Sequence, residues 1–249
     1  MILRSRKSFC TFTIIIVFVC ILPRVALAQD LFESIFDQQS LSTRSIQLIA
    51  LITVLSLAPG IAIMVTCFPF IVTVLSILRQ ALGLQQSPPN MLIVSLALFL
   101  TYYIMDPVFS AAWENGIRPL MDESINLEDA FIRTMEPFRS FMTARMDPDT
   151  FHAMAALRPD TAEITLNAQA PLSLMVPSFM LSEIARAFQI GFLIFLPFLV
   201  IDLVVAAVLM SMGMMMVPPA IVSLPFKLAF FVVADGWSLI ATALARSYF

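Results

Sequence analysis

The sequence predicts an all-α membrane protein, built as kinked helical hairpins from about four hydrophobic blocks with a small helical insertion between them. Three observations lead there. Of 249 residues, 60% are hydrophobic and only 12% charged. Long apolar runs free of charge recur along the chain, and prolines interrupt them where a straight helix would outrun a bilayer. A soluble core of this size could not cover so much apolar surface.

The chain begins with a basic stretch, Arg4, Arg6 and Lys7, followed by an apolar run from Phe9 to Leu22 and the small-residue site Ala26-Leu27-Ala28. That order is a secretory signal peptide over residues 1–28, cut between Ala28 and Gln29. An uncleaved first span is the competing reading, but the apolar run is short for the ~20 residues a span needs. Residues 29–45 then form a periplasmic N-terminal segment. Cys10 and Cys20 leave with the leader, so Cys67 stands alone, with neither a disulfide partner nor a metal-binding pair.

Residues 46–105 read as a first hydrophobic hairpin. Ile46 to Leu78 carries no charge, and as one helix this run would extend about 50 Å against about 30 Å of hydrocarbon. Pro59-Gly60 and Pro69 are the expected breaks. Arg79 and a polar turn through Pro88-Pro89 follow, then Met91 to Met105, which is short for a clean span.

At Asp106 the composition changes. Residues 106–170 hold eleven acids against five arginines, no lysine, and the sole histidine, His152. This reads as a small helical soluble insertion, and its acidity and lack of lysine place it in the periplasm. His152 has no neighbours that complete a metal set and is expected to be a surface or packing residue.

Residues 171–249 form the second hydrophobic hairpin. Its features are Glu183, Asp202 and Lys227 in apolar sequence and a methionine-rich turn comprising Met210, Met212, Met214, Met215 and Met216. A charge in hydrocarbon costs about 2.5–3.5 kcal/mol on insertion scales, so opposite charges at matched depth imply pairing or a lined path. If the hairpin folds about Gly213 to Pro219, residues whose numbers share a sum face each other. Asp202 and Lys227 do so, as do Glu183 and Arg246, although Arg186 offers Glu183 a local partner. These charges are either ordinary stabilising pairs or devices that fix register between subunits. Methionine side chains repack against varied surfaces, so the turn suits a deformable pore seal as well as a packed bend.

No phosphate-binding glycine loop, nucleophile elbow, zinc-protease motif or Cys-x-x-Cys occurs. No catalytic constellation, cofactor or metal is expected, nor any nucleic-acid partner. Two blocks of sequence nonetheless carry a pattern. Leu75 to Asn90 (LSILRQALGLQQSPPN) with Leu96 to Thr101 (LALFLT), and Ala187 to Asp202 (AFQIGFLIFLPFLVID) continuing through the methionine turn to Lys227, resemble the FliP/SctR family of type III secretion export-gate proteins.

The resemblance implies a core subunit of the flagellar export apparatus in the bacterial inner membrane, at the basal body. It implies a homo-oligomer, a pentamer, assembled with FliQ and FliR beside FlhB and FlhA, through which unfolded flagellar proteins pass. It also implies that Met210, Met212, Met214, Met215 and Met216 form the pore gasket, and that Lys227 with Glu183 or Asp202 lies at subunit contacts. The alternatives are the equivalent subunit of a virulence injectisome, which the Gln-Gln-Ser-Pro-Pro-Asn wording and the leader fit less well, and a small-solute secondary transporter using the buried charges as a relay.

Overall fold

Glycines and prolines set where the helices begin and end. The computed structural model describes residues 41–84, 88–214 and 216–249. The leader, its cleavage site at Ala28 and Gln29, and Met215 lie outside the described residues. Every regular element among the described residues is helical, and the chain is an all-α membrane protein.

The chain divides between Ala58 and Pro59 into two units. In the first unit the described residues, from Leu41, belong to helix α1 (Leu41–Met64), and residues 45–57 are exposed along it. The expected break at Pro59-Gly60 does not occur, because Pro59 lies inside α1. An interior proline removes one backbone hydrogen bond, and apolar helices tolerate that loss when the remaining ladder holds. The chain turns instead at Val65–Cys67, and Pro69 occupies the first turn of α2 (Phe68–Ala81), where its missing N–H costs nothing.

Helix α2 is the centre of the second unit. Phe70, Ile71, Val74 and Leu78 are fully buried, packed with Ala97, Ile104, Met105, Ala187 and Phe198 in one apolar cluster. Its end is a Schellman stop. Gly83 has φ +78°, its amide bonds Gln80 O at 3.0 Å, and the Leu84 amide bonds Arg79 O at 3.3 Å.

Helix α3 (Asn90–Ala112) starts behind Pro89 and does not stop where the composition shifts. Asp106 and Pro107 lie within it, and it continues through a π turn, Trp113–Ile117, into the short α4 (Arg118–Met121). The continuous path Asn90–Met121 has 32 residues. Asp106 is exposed, so its charge needs no helix break to reach solvent or headgroups.

The remainder of the acidic segment is helical. Helix α5 (Leu127–Arg145) is capped by Asn126, whose side chain accepts from the Asp129 amide at 2.8 Å. Glu128 and Asp129 sit at its positive end and Arg145 at its negative end. Helix α6 (Pro148–Ala155) is capped by Asp147, which accepts from the Thr150 amide at 2.9 Å and the Thr150 hydroxyl at 2.6 Å. Those bonds hold the Asp147 carboxyl below its ordinary value. Arg139 pins the following loop by donating to Ala168 O at 3.1 Å and Ala170 O at 2.8 Å. A second apolar cluster, with Met142, Phe151, Met175 and Phe179 at its heart, joins this segment to the start of α7.

Helix α7 (Leu172–Ser211) runs 40 residues, with Pro177 and Pro197 inside. At 1.5 Å per residue it is about 60 Å long, twice the hydrocarbon thickness. After the methionine turn come α8 (Pro219–Val233) and α9 (Gly236–Arg246), bent by 61° about Ala234-Asp235. Among the described residues, Ser45–Met64, Asn90–Met121 and Leu172–Ser211 are long and apolar enough to cross a membrane, and the α8–α9 pair makes a fourth if it counts as one span.

One close approach can be tested. A Cβ on Gly116 would lie 2.0 Å from Thr134 Oγ1, 2.7 Å from the Thr134 amide nitrogen and 2.9 Å from Ala130 O, two of them backbone atoms of α5. Gly116→Ala should therefore destabilise the protein by about 1–3 kcal/mol, the usual cost of overpacking. Thermal unfolding in detergent would show it as a lowered midpoint, and an unchanged midpoint would mean that the π turn and α5 separate freely.

Candidate functional site

Two polar clusters sit among the apolar helices, both built on α7, with the methionine turn just beyond the second. The lower one joins three helices at Lys227. Its ammonium lies 2.6 Å from Asp202 Oδ2 and donates to Ala81 O at 3.0 Å. Ser223, one turn before Lys227 on α8, donates to the other oxygen, Asp202 Oδ1, at 2.5 Å. Both carboxylate oxygens are thus occupied, and the ammonium also caps the carbonyl end of α2, where the helix dipole favours a cation.

The Lys227 side chain is 6% exposed and that of Asp202 30%. A pair this deep gains from charge-assisted bonds what it loses in hydration, so its main effect is to fix one arrangement of α2, α7 and α8. Of the two acids that sequence reasoning left open for Lys227, the structure joins Asp202 to it within one chain.

Glu183 belongs to the upper cluster. Its side chain is fully buried, with Oε1 3.2 Å from Arg145 Nε and 3.9 Å from Arg186 NH1. Tyr248 donates to Oε2 at 2.5 Å. Burial, and next the Glu183 charge, push the Tyr248 phenol up, so it stays protonated and serves as a donor. The Arg145 guanidinium stacks 3.9 Å from the Tyr248 ring centre and donates to Ser247 O at 2.7 Å. The backbone amide of Asp147 donates to Ser182 Oγ at 3.1 Å, a further tie between the acidic segment and α7.

The expected Glu183 and Arg246 pair is not formed, since Glu183 turns to Arg145, Arg186 and Tyr248. Arg145 and Tyr248 went unseen in the sequence. Arg145 reads there as an ordinary helix-terminal charge of an acidic segment, and nothing local links it to a residue 38 positions away. Ser223 also went unseen, although its place four residues before Lys227 on one helix face is a signal that could have found it.

The turn has the same stop as α2. Gly213 has φ +75°, its amide bonds Met210 O at 3.1 Å, and the Met214 amide bonds Leu209 O at 3.0 Å. Met210, Met212 and Met214 are exposed and Met216 is 97% exposed. Between α7 and α8 below the turn lies an open apolar cavity of 660 Å³, walled by Val204, Val208, Met212, Met214, Val222 and Phe226. Among the described residues, no group of three or more His, Cys, Asp and Glu side chains could hold a metal ion.

The FliP family profile matches residues 51–244, which include every described residue of the lower cluster and the turn. The chain belongs to the FliP family. It is 50% identical over 233 residues to the flagellar biosynthetic protein FliP of Caulobacter vibrioides, covering 92% of this chain and 86% of that one. It is 45% identical over 241 residues to that of Agrobacterium fabrum, covering 95% and 98%. It is 47% identical over 216 residues to that of Bacillus subtilis, covering 85% and 95%. The chain is therefore a membrane-embedded, structural component of the flagellar type III export gate. The flagellar relatives favour neither the injectisome nor the transporter reading.

The upper cluster makes a specific energetic claim for this FliP-family chain. Tyr248→Phe removes one oxygen and leaves a buried carboxylate oxygen without its donor, at a cost of about 1.5–3 kcal/mol. In a Glu183→Gln background the same change should cost less than half as much, as unfolding in mixed micelles would measure. Equal losses in both backgrounds would show that Tyr248 acts through packing alone.

Proposed function

We propose that the chain is a passive, protein-conducting gate subunit that works as a ring in the bacterial inner membrane, with the segment 106–170 on the periplasmic side. In this reading several copies, five, assemble with FliQ and FliR beside FlhB and FlhA, and unfolded flagellar proteins pass through the ring. Partners and the proton gradient supply the energy. The observation that carries it is the methionine turn, which stands exposed at the end of a hairpin joined by the ion pair of buried Lys227 with half-buried Asp202.

Flexible, polarizable side chains held on a rigid base can close around small ions and yield to an extended polypeptide. Met210, Met212, Met214, Met215 and Met216 would then form the gasket, one set from each copy. The length of α7, about twice the hydrocarbon thickness, supports hairpins that extend beyond the bilayer plane. Glu183, Asp202 and Lys227 would hold the register on which neighbouring copies meet.

Two measurements test this reading. Lys227→Glu should abolish assembly or secretion, and adding Asp202→Lys should restore it by reversing the pair. Normal secretion by Lys227→Glu alone would remove the register role. Replacing Met214, Met215 and Met216 by alanine should let the membrane leak small ions during secretion, measured as conductance or as salt-sensitive growth. Unchanged conductance would remove the gasket role.

A further inference from the structure

At the end of α9 a cavity combines apolar walls with an uncommitted cation. It has a volume of 360 Å³ and is lined by Leu100 and Tyr103 of α3, Ala241, Ala245 and Arg246 of α9, and Phe249. Arg246 lies in the last turn of α9, where a cation ordinarily serves the final carbonyls. Three of the last four carbonyls already have donors. The Ser247 amide bonds Ala243 O at 3.1 Å and Leu244 O at 3.3 Å, and the Tyr248 amide bonds Ala245 O at 3.0 Å. Arg145 takes Ser247 O at 2.7 Å.

Arg246 is exposed and forms none of the ion pairs among the described residues. The hydroxyl of Thr242, on the cavity rim, is spent on Ser238 O and Leu239 O within its own helix. The guanidinium is therefore the one charged side chain in the lining, with the Tyr103 phenol beside it as a neutral hydroxyl.

Depth narrows the choice of ligand. Tyr103 stands 13 residues along α3 from Asn90, where the Arg79 side chain donates to the Asn90 amide oxygen, a rise of about 20 Å. Tyr102 and Tyr103 are exposed side by side, three residues before the exposed Asp106. Exposed tyrosines at the end of an apolar stretch belong at headgroup level, and so does an arginine with an apolar stem. Ala241 and Ala245 are one turn apart on the same face of α9, and their small side chains leave an open stripe beside Leu100.

We propose that this cavity binds one glycerophospholipid, with its phosphodiester on the Arg246 guanidinium and the first part of an acyl chain along Leu100, Ala241 and Ala245. Guanidinium matches phosphate by paired hydrogen bonds and opposite charge. The larger cavity beside the methionine turn is lined by no charged side chain and specifies no headgroup.

The test is native mass spectrometry of the full chain in mild detergent micelles, doped with phosphatidylglycerol, with diacylglycerol of the same tails, or with free glycerol phosphate. One phosphatidylglycerol should be retained per chain, and neither of the other two. Arg246→Gln should lower its occupancy about fivefold, the scale of one basic residue at a membrane surface. Thr242→Leu, which narrows the cavity from its exposed rim, should lower occupancy while leaving Arg246 in place. Three results would overturn the proposal: undiminished retention in both variants, diacylglycerol held as tightly as phosphatidylglycerol, or a lipid-free dimer whose interface shields Thr242 from labelling. Because no secretion is measured, the outcome is separate from the fate of the gate reading.

Discussion

The ammonium of Lys227 is the constraint on which the second unit depends. Buried without its partners it would cost more than a marginally stable fold can spare, so α2, α7 and α8 must converge wherever it sits. It meets a carboxylate from one helix, a backbone carbonyl at the end of another, and shares its own helix with the serine that completes the carboxylate's bonding. Apolar packing between smooth helices would permit sliding by a turn, whereas this junction has one solution. The methionine turn inherits its position from that solution.

The Glu183 cluster does the same work at the other end of α7 by different means. There the acid is fully enclosed, and its neighbours come from the acidic segment and from the residues after α9. Arg145 contributes charge, hydrogen bonds and a flat face stacked on Tyr248, which a lysine could not supply together. The two clusters differ in exposure: the lower one leaves part of Asp202 open, and the upper one leaves nothing of Glu183 open.

Much of this was legible in the sequence. Uncharged runs gave the membrane class, the sum rule about the turn paired Asp202 with Lys227, and Gly213 marked the end of a helix. The failures have physical causes. Pro59 looked like a break, but a proline ends a helix only when the lost hydrogen bond is not outweighed by the rest of the ladder, and α1 runs through it. The shift in composition at Asp106 reported a change in surroundings, not in backbone. Arg145 and Tyr248 were invisible because their importance arises from tertiary contacts across 38 and 65 residues, for which periodicity carries no signal.

The unbroken helix α7 has a mechanical consequence. Glu183 and Asp202 are 19 residues apart on it, about 28 Å along one rod. Met210 lies 27 residues beyond Glu183, about 40 Å along the rod, so a tilt of five degrees about Glu183 would sweep it through roughly 3.5 Å. A rocking of the acidic segment, gripped at Glu183, would be carried to the methionines along that rod. Pro197, lying between the two grips, is the joint at which such a lever would flex or lose its stroke.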